Sequence, residues 1–245
     1  MKRWLVPAIA AAAFVAVYAL DANRALFLAL NKLGPATGDL FWANITVLGD
    51  GLVVFALCLP LWRRRPDLLW AVVFLAVLGT LWVQGMKPLI DVARPPAVLG
   101  DEVHVIGRAY KAHSFPSGHA TTAFAIGGLL ALGIASRVGV AAIVALATLV
   151  AFSRAVVGVH WPLDILAGAF GGWLAAVCAL WLAQRSRRFG EREWVQWTLA
   201  ALLAACAVAL VLGFPDDYPQ ALLFQRAIGI CCLAAAAARL TRAAG

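Results

Sequence analysis

The stretch PLDILAGAFGGWLAAVCALWLA, residues 162–183, decides the fold. It contains a single charged residue, Asp164, and otherwise only apolar side chains, glycines and one proline. A helix that crosses the hydrocarbon of a bilayer needs about 20 mostly apolar residues. Pro162 suits the first position of a helix, because its missing N–H would have no partner there. The stretch therefore predicts a membrane-spanning helix that begins at Pro162.

Similar stretches occur on both sides of it and predict seven further spans: residues 4–20, 41–62, 68–86, 117–135, 138–159, 194–212 and 222–240. The composition agrees, because 64% of the 245 residues are hydrophobic and only 13% are charged. Soluble domains carry about 25% charged residues, and the mean hydropathy here is +0.89. The predicted fold class is all-α, a polytopic transmembrane helical bundle of about eight spans.

Two predictions concern the first forty residues. The stretch 4–20 follows Lys2 and Arg3 and could be a signal peptide, but no clear small-residue cleavage site follows it. We expect it to be retained as the first span. Segment 21–39 is mixed in polarity, and its apolar residues recur at helical spacing, which predicts a short helix lying at the membrane interface: Leu26, Phe27, Leu30 and Leu33.

The net charge of +8 is best explained by membrane orientation. Lys and Arg gather in cytoplasmic loops, and placing Lys2 and Arg3 inside also places the basic loops 63–65 and 185–192 inside. The long polar segment 87–116 and the turn 158–161 then lie outside. A nucleic-acid partner would need a basic face with aromatics or a recognition motif, and we find neither. The lipid bilayer is the expected environment, and no obligate protein partner is evident.

Three short segments fall at the predicted outer face: KPLIDVARP (87–95), FPSGH (115–119) and SRAVVGVHWPLD (153–164). They bring Lys87, Arg94 and Arg154 to one side of the membrane. A phosphoryl group in transfer spreads negative charge over its oxygens, and fixed cations stabilise that charge. An arginine can bind two of these oxygens with its planar fork. Headgroup anchoring is the simpler explanation for any one of these cations, but the three together predict a phosphate site.

The second segment begins a predicted helix. A helix start leaves backbone N–H groups without partners and carries partial positive charge, which suits an anion. Gly118 would let a phosphate approach the backbone closely. Ser117 could cap the helix or donate its hydroxyl to phosphate, and the two roles are compatible.

The third segment pairs His160 with Asp164 at a spacing of four residues, which places both on one face of a helix. A carboxylate on one ring nitrogen fixes the tautomer and leaves the other nitrogen free to attack phosphorus. His119 lies at a helix start, where an imidazole could protonate a departing oxygen. Taken alone, His160 would be a structural histidine beside a helix cap.

These segments resemble the signature of the type-2 phosphatidic acid phosphatase superfamily: Lys-x6-Arg-Pro, then Pro-Ser-Gly-His, then Ser-Arg-x5-His-x3-Asp. The resemblance covers about residues 68–181. It implies a phosphohistidine on His160, with His119 as general acid and Asp164 orienting His160. It also implies a catalysis without metal or cofactor, facing the periplasm from a bacterial inner membrane. The implied phosphate-binding residues are Lys87, Arg94, Ser117, Gly118 and Arg154.

The sequence departs from the family pattern in two places. Many members carry another basic residue after Arg94-Pro95, where this chain has Pro96 and Ala97. Typical members have six spans, and the spans after Trp194 have no assigned role. The predicted organisation is N-terminal spans with an interfacial helix (1–67), a catalytic phosphatase core (68–184), and a basic cytoplasmic loop with two additional spans (185–245). The bundle is thus a six-helix phosphatase core plus two C-terminal spans.

Several alternatives stay open at this point. The membrane lipid substrate could be undecaprenyl pyrophosphate, phosphatidylglycerol phosphate, phosphatidic acid or a lipid A phosphate. A phosphotransferase that moves phosphate from a polyprenyl pyrophosphate to lipid A is the near alternative to a hydrolase. A lipid scrambler or transporter and a metal-dependent hydrolase are the other classes. We expect His104, His113 and Tyr110 to be solvated loop residues.

Overall fold

The computed structural model describes residues 2–133, 136–214 and 217–244, and all regular structure in those ranges is helical. Short 3-10 turns occupy Leu59–Leu61, Gly100–Glu102 and Pro219–Ala221. The all-α prediction is confirmed. In chain order the α-helices are α1 (Lys2–Ala19), α2 (Asn23–Asn31), α3 (Leu33–Thr37), α4 (Asp39–Val47), α5 (Gly51–Cys58), α6 (Pro66–Met86), α7 (Pro95–Leu99), α8 (Gly118–Gly133), α9 (Arg137–Val156), α10 (Pro162–Arg185), α11 (Arg187–Gly190), α12 (Glu193–Leu212) and α13 (Leu222–Ala244).

Five of the described helices are long and apolar enough to cross a membrane: α6, α9, α10, α12 and α13. Two bent pairs pass the same test as single units, α1 with α2–α3 and α4 with α5, which raises the number to seven. The apolar α8 is shorter, at 16 residues. Each predicted span therefore falls on one of these helices or bent pairs, and the protein is a multi-pass helical bundle.

The predicted span at 41–62 falls on a bent pair of helices, because the chain turns by 60° between α4 and α5. Asp50 caps α5 by accepting the N–H groups of Leu52 at 2.8 Å and Val53 at 3.3 Å. A side chain that caps a new helix start competes with continuation of the preceding helix. The predicted interfacial segment forms α2 and α3, which turn by 107° from α1.

Helix α10 lies at the centre of the bundle and packs against α1, α6 and α8. Gly168 and Gly172 make the contact with α8 possible. A Cβ atom on Gly168 would lie 2.7 Å from the Ser117 carbonyl oxygen, and one on Gly172 would lie 2.2 Å from that of Thr121. Small residues let two helix backbones approach closely. The start of α8 is therefore pressed directly onto the first turns of α10.

The two C-terminal helices form a hairpin that packs along α5. Near one end, Arg239 donates to the carbonyl oxygens of Pro60 and Trp62. Gln196 of α12 donates to the carbonyl oxygens of Pro66 at 3.2 Å and Gly190 at 2.8 Å. At the opposite end, the turn that joins α12 to α13 meets the loops that carry the predicted site residues. The hairpin is thus packed into the bundle along its length.

Candidate active site

His160 lies in the turn that joins α9 to α10, and the chain conformation there requires a glycine. Gly158 has φ +83°, and a Cβ atom on it would lie 2.5 Å from the carbonyl oxygen of His104. The His160 N–H donates to the carbonyl oxygen of Arg154 at 3.2 Å. His160 is 2% exposed. The turn therefore fixes a buried imidazole just before the start of α10.

Asp164 lies in the first turn of α10, and its Oδ2 atom accepts three hydrogen bonds. The donors are Ser114 Oγ at 2.5 Å, the Trp161 N–H at 2.9 Å and His160 Nδ1 at 3.2 Å. The bond to Trp161 is the carboxylate half of a capping box. An ionised carboxylate only accepts hydrogen bonds, so the imidazole nitrogen that contacts it must donate. The geometry therefore assigns the proton of the neutral imidazole to Nδ1.

Arg94 occupies the other side of the imidazole. Its Nε donates to the Ala112 carbonyl oxygen at 2.9 Å, and its Nη1 donates to the Val159 carbonyl oxygen at 3.3 Å. The same Nη1 lies 3.3 Å from His160 Nε2. A guanidinium can only donate, so Nε2 accepts and carries the free lone pair. This is the tautomer that a histidine nucleophile needs.

The local charges favour the neutral form of the imidazole. Burial, and then the positive charges of Arg94, Arg154 and Lys87, hold the pKa of His160 well below its ordinary value of 6.5. Burial and Arg154 lower the pKa of Arg94 to about 10, so that guanidinium stays charged at neutral pH. Burial and Arg94 also lower the pKa of Lys87. The site therefore combines a neutral imidazole with cations.

Arg154 lies in the last turn of α9 and is 3% exposed. Its Nη1 donates to Thr46 Oγ1 and to the Tyr218 hydroxyl, both at 2.6 Å. Among the described residues its Nε has no hydrogen-bond partner. Both partners are neutral hydroxyls, so among the described residues Arg154 is held in place without a direct ion pair.

The start of α8 completes the site. Ser117 Oγ accepts the Ala120 N–H at 3.4 Å, which is a helix cap. A Cβ atom on Gly118 would meet only Val83 Cγ1, at 3.9 Å, so the space in front of this helix start is open. Within the described part of the chain, the His119 ring makes no hydrogen bond to protein. It lines a small cavity with Asp50, Asp217, Tyr218 and Gln225.

The structure adds three residues that the sequence analysis did not single out: Ser114, Thr46 and Tyr218. Ser114 and Thr46 carry no sequence signal of their own. Tyr218 lies in a short turn that the charge pattern places at the outer face, which is the one clue that could have found it. Two of the predicted loop residues are partly exposed and also hydrogen-bonded: Tyr110 donates to the Asp217 carboxylate at 2.8 Å, and His104 Nε2 lies 2.8 Å from Asp39 Oδ1. His113 is exposed, as expected.

Comparison with known proteins identifies the family to which the chain is related. A family model described as the PAP2 superfamily matches residues 67–188. The chain is 33% identical over 97 residues to a lipid A 4'-phosphatase of Bacteroides thetaiotaomicron, covering 36% of this chain and 43% of that protein. It is 36% identical over 118 residues to a lipid A 1-phosphatase of Rhizobium etli, covering 44% and 46%. The matches thus span less than half the length of these two relatives.

Solved structures extend the similarity over more of the chain. The crystal structure of Aquifex aeolicus LpxE superposes with a TM-score of 0.59 at 30% identity, covering 64% of this chain and 94% of that one. A transmembrane PAP2-type phosphatidylglycerolphosphate phosphatase from Bacillus subtilis shares the fold, with a TM-score of 0.55 at 21% identity, covering 75% and 98%. The chain belongs to the PAP2 superfamily.

Proposed function

We propose that the protein is an integral-membrane lipid phosphatase that works through a phosphohistidine on His160. One observation carries the proposal: Asp164 holds Nδ1 of a buried, neutral imidazole, while its Nε2 faces Arg94. A structural histidine needs no free lone pair beside a cation. A nucleophile that attacks a phosphate needs both the lone pair and the positive charge.

The first half of the reaction forms the intermediate. A phosphate oxygen of the substrate replaces His160 Nε2 as acceptor of the Arg94 Nη1 proton, which frees the lone pair. Nε2 then attacks phosphorus, and the bond from phosphorus to the lipid oxygen breaks. His119 gives its proton to that oxygen, so the lipid leaves as a neutral alcohol, or as a lipid monophosphate when the substrate is a pyrophosphate. Arg154, Lys87, the Ser117 hydroxyl and the N–H groups of Gly118 and His119 hold the phosphate oxygens.

The second half releases phosphate. His119, now neutral, takes a proton from a water molecule that attacks the phosphorus. The N–P bond breaks, and its electron pair returns to Nε2 of His160. The products are inorganic phosphate and the free enzyme, with His119 protonated again for the next turnover. The two half-reactions need two histidines with opposite roles and no metal ion.

A lipid substrate is supported by the surroundings of Gly118. A cleft of about 220 Å³ lies between α5, α6 and α8, and apolar side chains line most of it. It starts beside Gly118 and has the size and character for part of an acyl chain. Since two relatives of this chain are lipid A phosphatases, a lipid A phosphate is the first candidate. Undecaprenyl pyrophosphate, phosphatidylglycerol phosphate and phosphatidic acid are the other members of the proposed class.

The test is a panel of these four lipids, presented in detergent to the purified protein and assayed for inorganic phosphate. We expect release from at least one lipid, and loss of release in the His160→Ala variant. Phosphate release that survives in His160→Ala contradicts the mechanism. Mass spectrometry of the lipid products separates hydrolysis from phosphate transfer to lipid A.

The predicted independence from metal is tested in the same assay. We expect activity to be unchanged in excess EDTA. Activity that is lost in EDTA and restored by an added divalent cation would identify a metal-dependent hydrolase instead.

A further inference from the structure

Asp217 and Tyr218, which precede α13, lie near both arginines of the proposed phosphate site: Tyr218 contacts Arg154, and Asp217 reaches Arg94 through Tyr110. On one side, the Tyr218 hydroxyl accepts from Arg154 Nη1 at 2.6 Å. The ring of Tyr218 lies beneath the same guanidinium, with 5.8 Å between its centroid and Cζ. Tyr218 is 5% exposed. A residue of the C-terminal hairpin is therefore buried in direct contact with Arg154, which lies 64 residues earlier in the chain.

On the other side, the turn reaches Arg94 through one intermediate. The Tyr110 hydroxyl lies 2.8 Å from each carboxylate oxygen of Asp217. The ring centroid of Tyr110 lies 5.0 Å from Arg94 Cζ. The Asp217 carbonyl oxygen accepts the Arg108 N–H at 3.2 Å. A Cβ atom on Gly107 would lie 2.4 Å from the same carbonyl oxygen, so the turn and the loop are in close contact.

The chemistry of these contacts suits a binding site for an anion. Across the residues that the structure describes, no carboxylate forms an ion pair with Arg154, whose Nη1 is held by the hydroxyls of Thr46 and Tyr218. A carboxylate in that place would neutralise the guanidinium and compete with a phosphate. Hydroxyls and aromatic rings fix its position and leave its charge available. An arginine held in place before the ligand arrives loses less conformational freedom on binding.

We propose that the C-terminal hairpin completes the phosphate site, with Tyr218 as the positioning residue of Arg154 and Asp217 acting through Tyr110 on Arg94. The inference rests on the proposed function, because it takes the two arginines as phosphate ligands. It assigns a role to the two spans that lie outside the family signature. Substitutions of Asp217 or Tyr218 should therefore alter phosphate binding, although neither residue contacts the substrate.

The test measures binding of orthovanadate, an inorganic mimic of a phosphoryl group in transfer, to the full chain in detergent. Tyr218→Phe removes only the hydroxyl. We expect the dissociation constant for vanadate to rise about tenfold, the size of one lost hydrogen bond to a charged group. Tyr18→Phe is the matched control, because Tyr18 is 73% exposed on α1, and it should bind vanadate as the unchanged protein does. Tyr110→Phe should weaken binding by a smaller factor.

A double-mutant cycle separates positioning from general loss of structure. In an Arg154→Gln background, Tyr218→Phe should cause no further loss of affinity. An unchanged affinity in Tyr218→Phe overturns the proposal, and so does an equal loss in both backgrounds. If Tyr218→Phe does not fold, the same cycle is run with Tyr110→Phe and Arg94→Gln. Tyr110→Phe should then weaken vanadate binding only when Arg94 is present, and an equal loss of affinity in both backgrounds overturns the proposal.

Vanadate binding also keeps this inference separate from the proposed lipid substrate. If the cycle shows coupling but no lipid releases phosphate, the proposed activity fails and the positioning role stands. If lipids release phosphate and Tyr218→Phe behaves as the unchanged protein in both assays, the positioning role fails and the activity stands.

Discussion

At the scale of single residues, the Oδ2 atom of Asp164 both caps a helix and orients an imidazole. It accepts the Trp161 N–H, which starts α10, and it accepts from His160 Nδ1, which sets the tautomer. The start of α10 and the orientation of the proposed nucleophile therefore depend on the same carboxylate. Ser114 Oγ, at 2.5 Å, is the third donor to that oxygen and lies 3.5 Å from His160 Nδ1. The hydroxyl thus keeps the carboxylate in the position from which it orients the imidazole.

Ser114→Ala should lower kcat/KM about tenfold, because one hydrogen bond to the orienting carboxylate is lost while the other two remain. The measurement is phosphate release from the best lipid of the panel. The control is Ser136→Ala, which removes a comparable hydroxyl. Ser136 Oγ caps α9 by accepting the Gly139 N–H. The control should lose some thermal stability and no activity. Equal activities for the two variants would contradict the role of Ser114.

The pH dependence follows from the lowered pKa of His160. An imidazole with a pKa well below 6.5 is neutral through mildly acidic conditions, as the proposed nucleophile must be. The acid limb of the kcat/KM profile should therefore lie below pH 6.5. Arg94→Gln removes a positive charge that opposes protonation of His160, so its pKa should rise and the limb should move to higher pH. Arg24→Gln should leave the limb in place, because Arg24 is exposed, pairs with Glu102 and is not among the charges that shift the pKa of His160. A limb that does not move in Arg94→Gln would refute this account of the charges.

Much of the site could be predicted from the sequence because its residues lie in short segments with fixed spacing. His160 and Asp164 are one helical turn apart, so local geometry alone brings them together. Thr46 and Arg154 are 108 residues apart, and Ser114 and Asp164 are 50 apart. Their contacts depend on how the helices pack, which no local pattern encodes.

At the scale of elements, the start of α8 is the part of the site that the fold constrains most. Gly168 and Gly172 of α10 bring it close, and the Ser117 N–H donates to the Asp164 carbonyl oxygen at 3.0 Å. The proposed nucleophile and the proposed anion site are thus joined through two helix starts. The break at Asp50 shows the limit of the sequence reasoning, because hydrophobicity summed over 41–62 hid a helix cap inside an apolar stretch.

Gly118→Ala tests the helix start as an anion site. The structure has room for the added methyl group, so the melting temperature should not fall. The methyl group would occupy the space in which we place the phosphate, and vanadate should bind at least tenfold more weakly. Gly85→Ala in α6 is the matched control, with no atom within 4 Å of the added Cβ. Unchanged vanadate affinity in Gly118→Ala would remove the helix start from the site.

At the scale of the whole molecule, the connections sort into two ends. The loop 87–117, the turn before α10 and the turn before α13 meet at one end, where the proposed site lies. At the other end, Arg65 donates to the Gly133 carbonyl oxygen at 3.2 Å, and Trp70 Nε1 donates to Ser186 Oγ at 2.8 Å. This division agrees with the arrangement expected from the basic loops. We propose that the end that carries the site faces the periplasm.

Cysteine labelling in intact cells checks the orientation. Lys111→Cys should react with a membrane-impermeant maleimide from outside, since Lys111 is exposed on the outer loop. Arg188→Cys should react only after the cells are permeabilised. The unchanged protein, with its own cysteines in apolar helices, gives the background. The reverse pattern would place the site in the cytoplasm.

In the proposed reaction, phosphate passes through His160. The most direct measurement is a rapid quench of the protein with its lipid substrate under alkaline conditions, which preserve an N–P bond, followed by mass spectrometry of the peptides. We predict one phosphate on the peptide that contains His160, absent from His160→Gln and formed within the time of one turnover. A protein that releases phosphate at its full rate with no phosphate on that peptide would contradict the account.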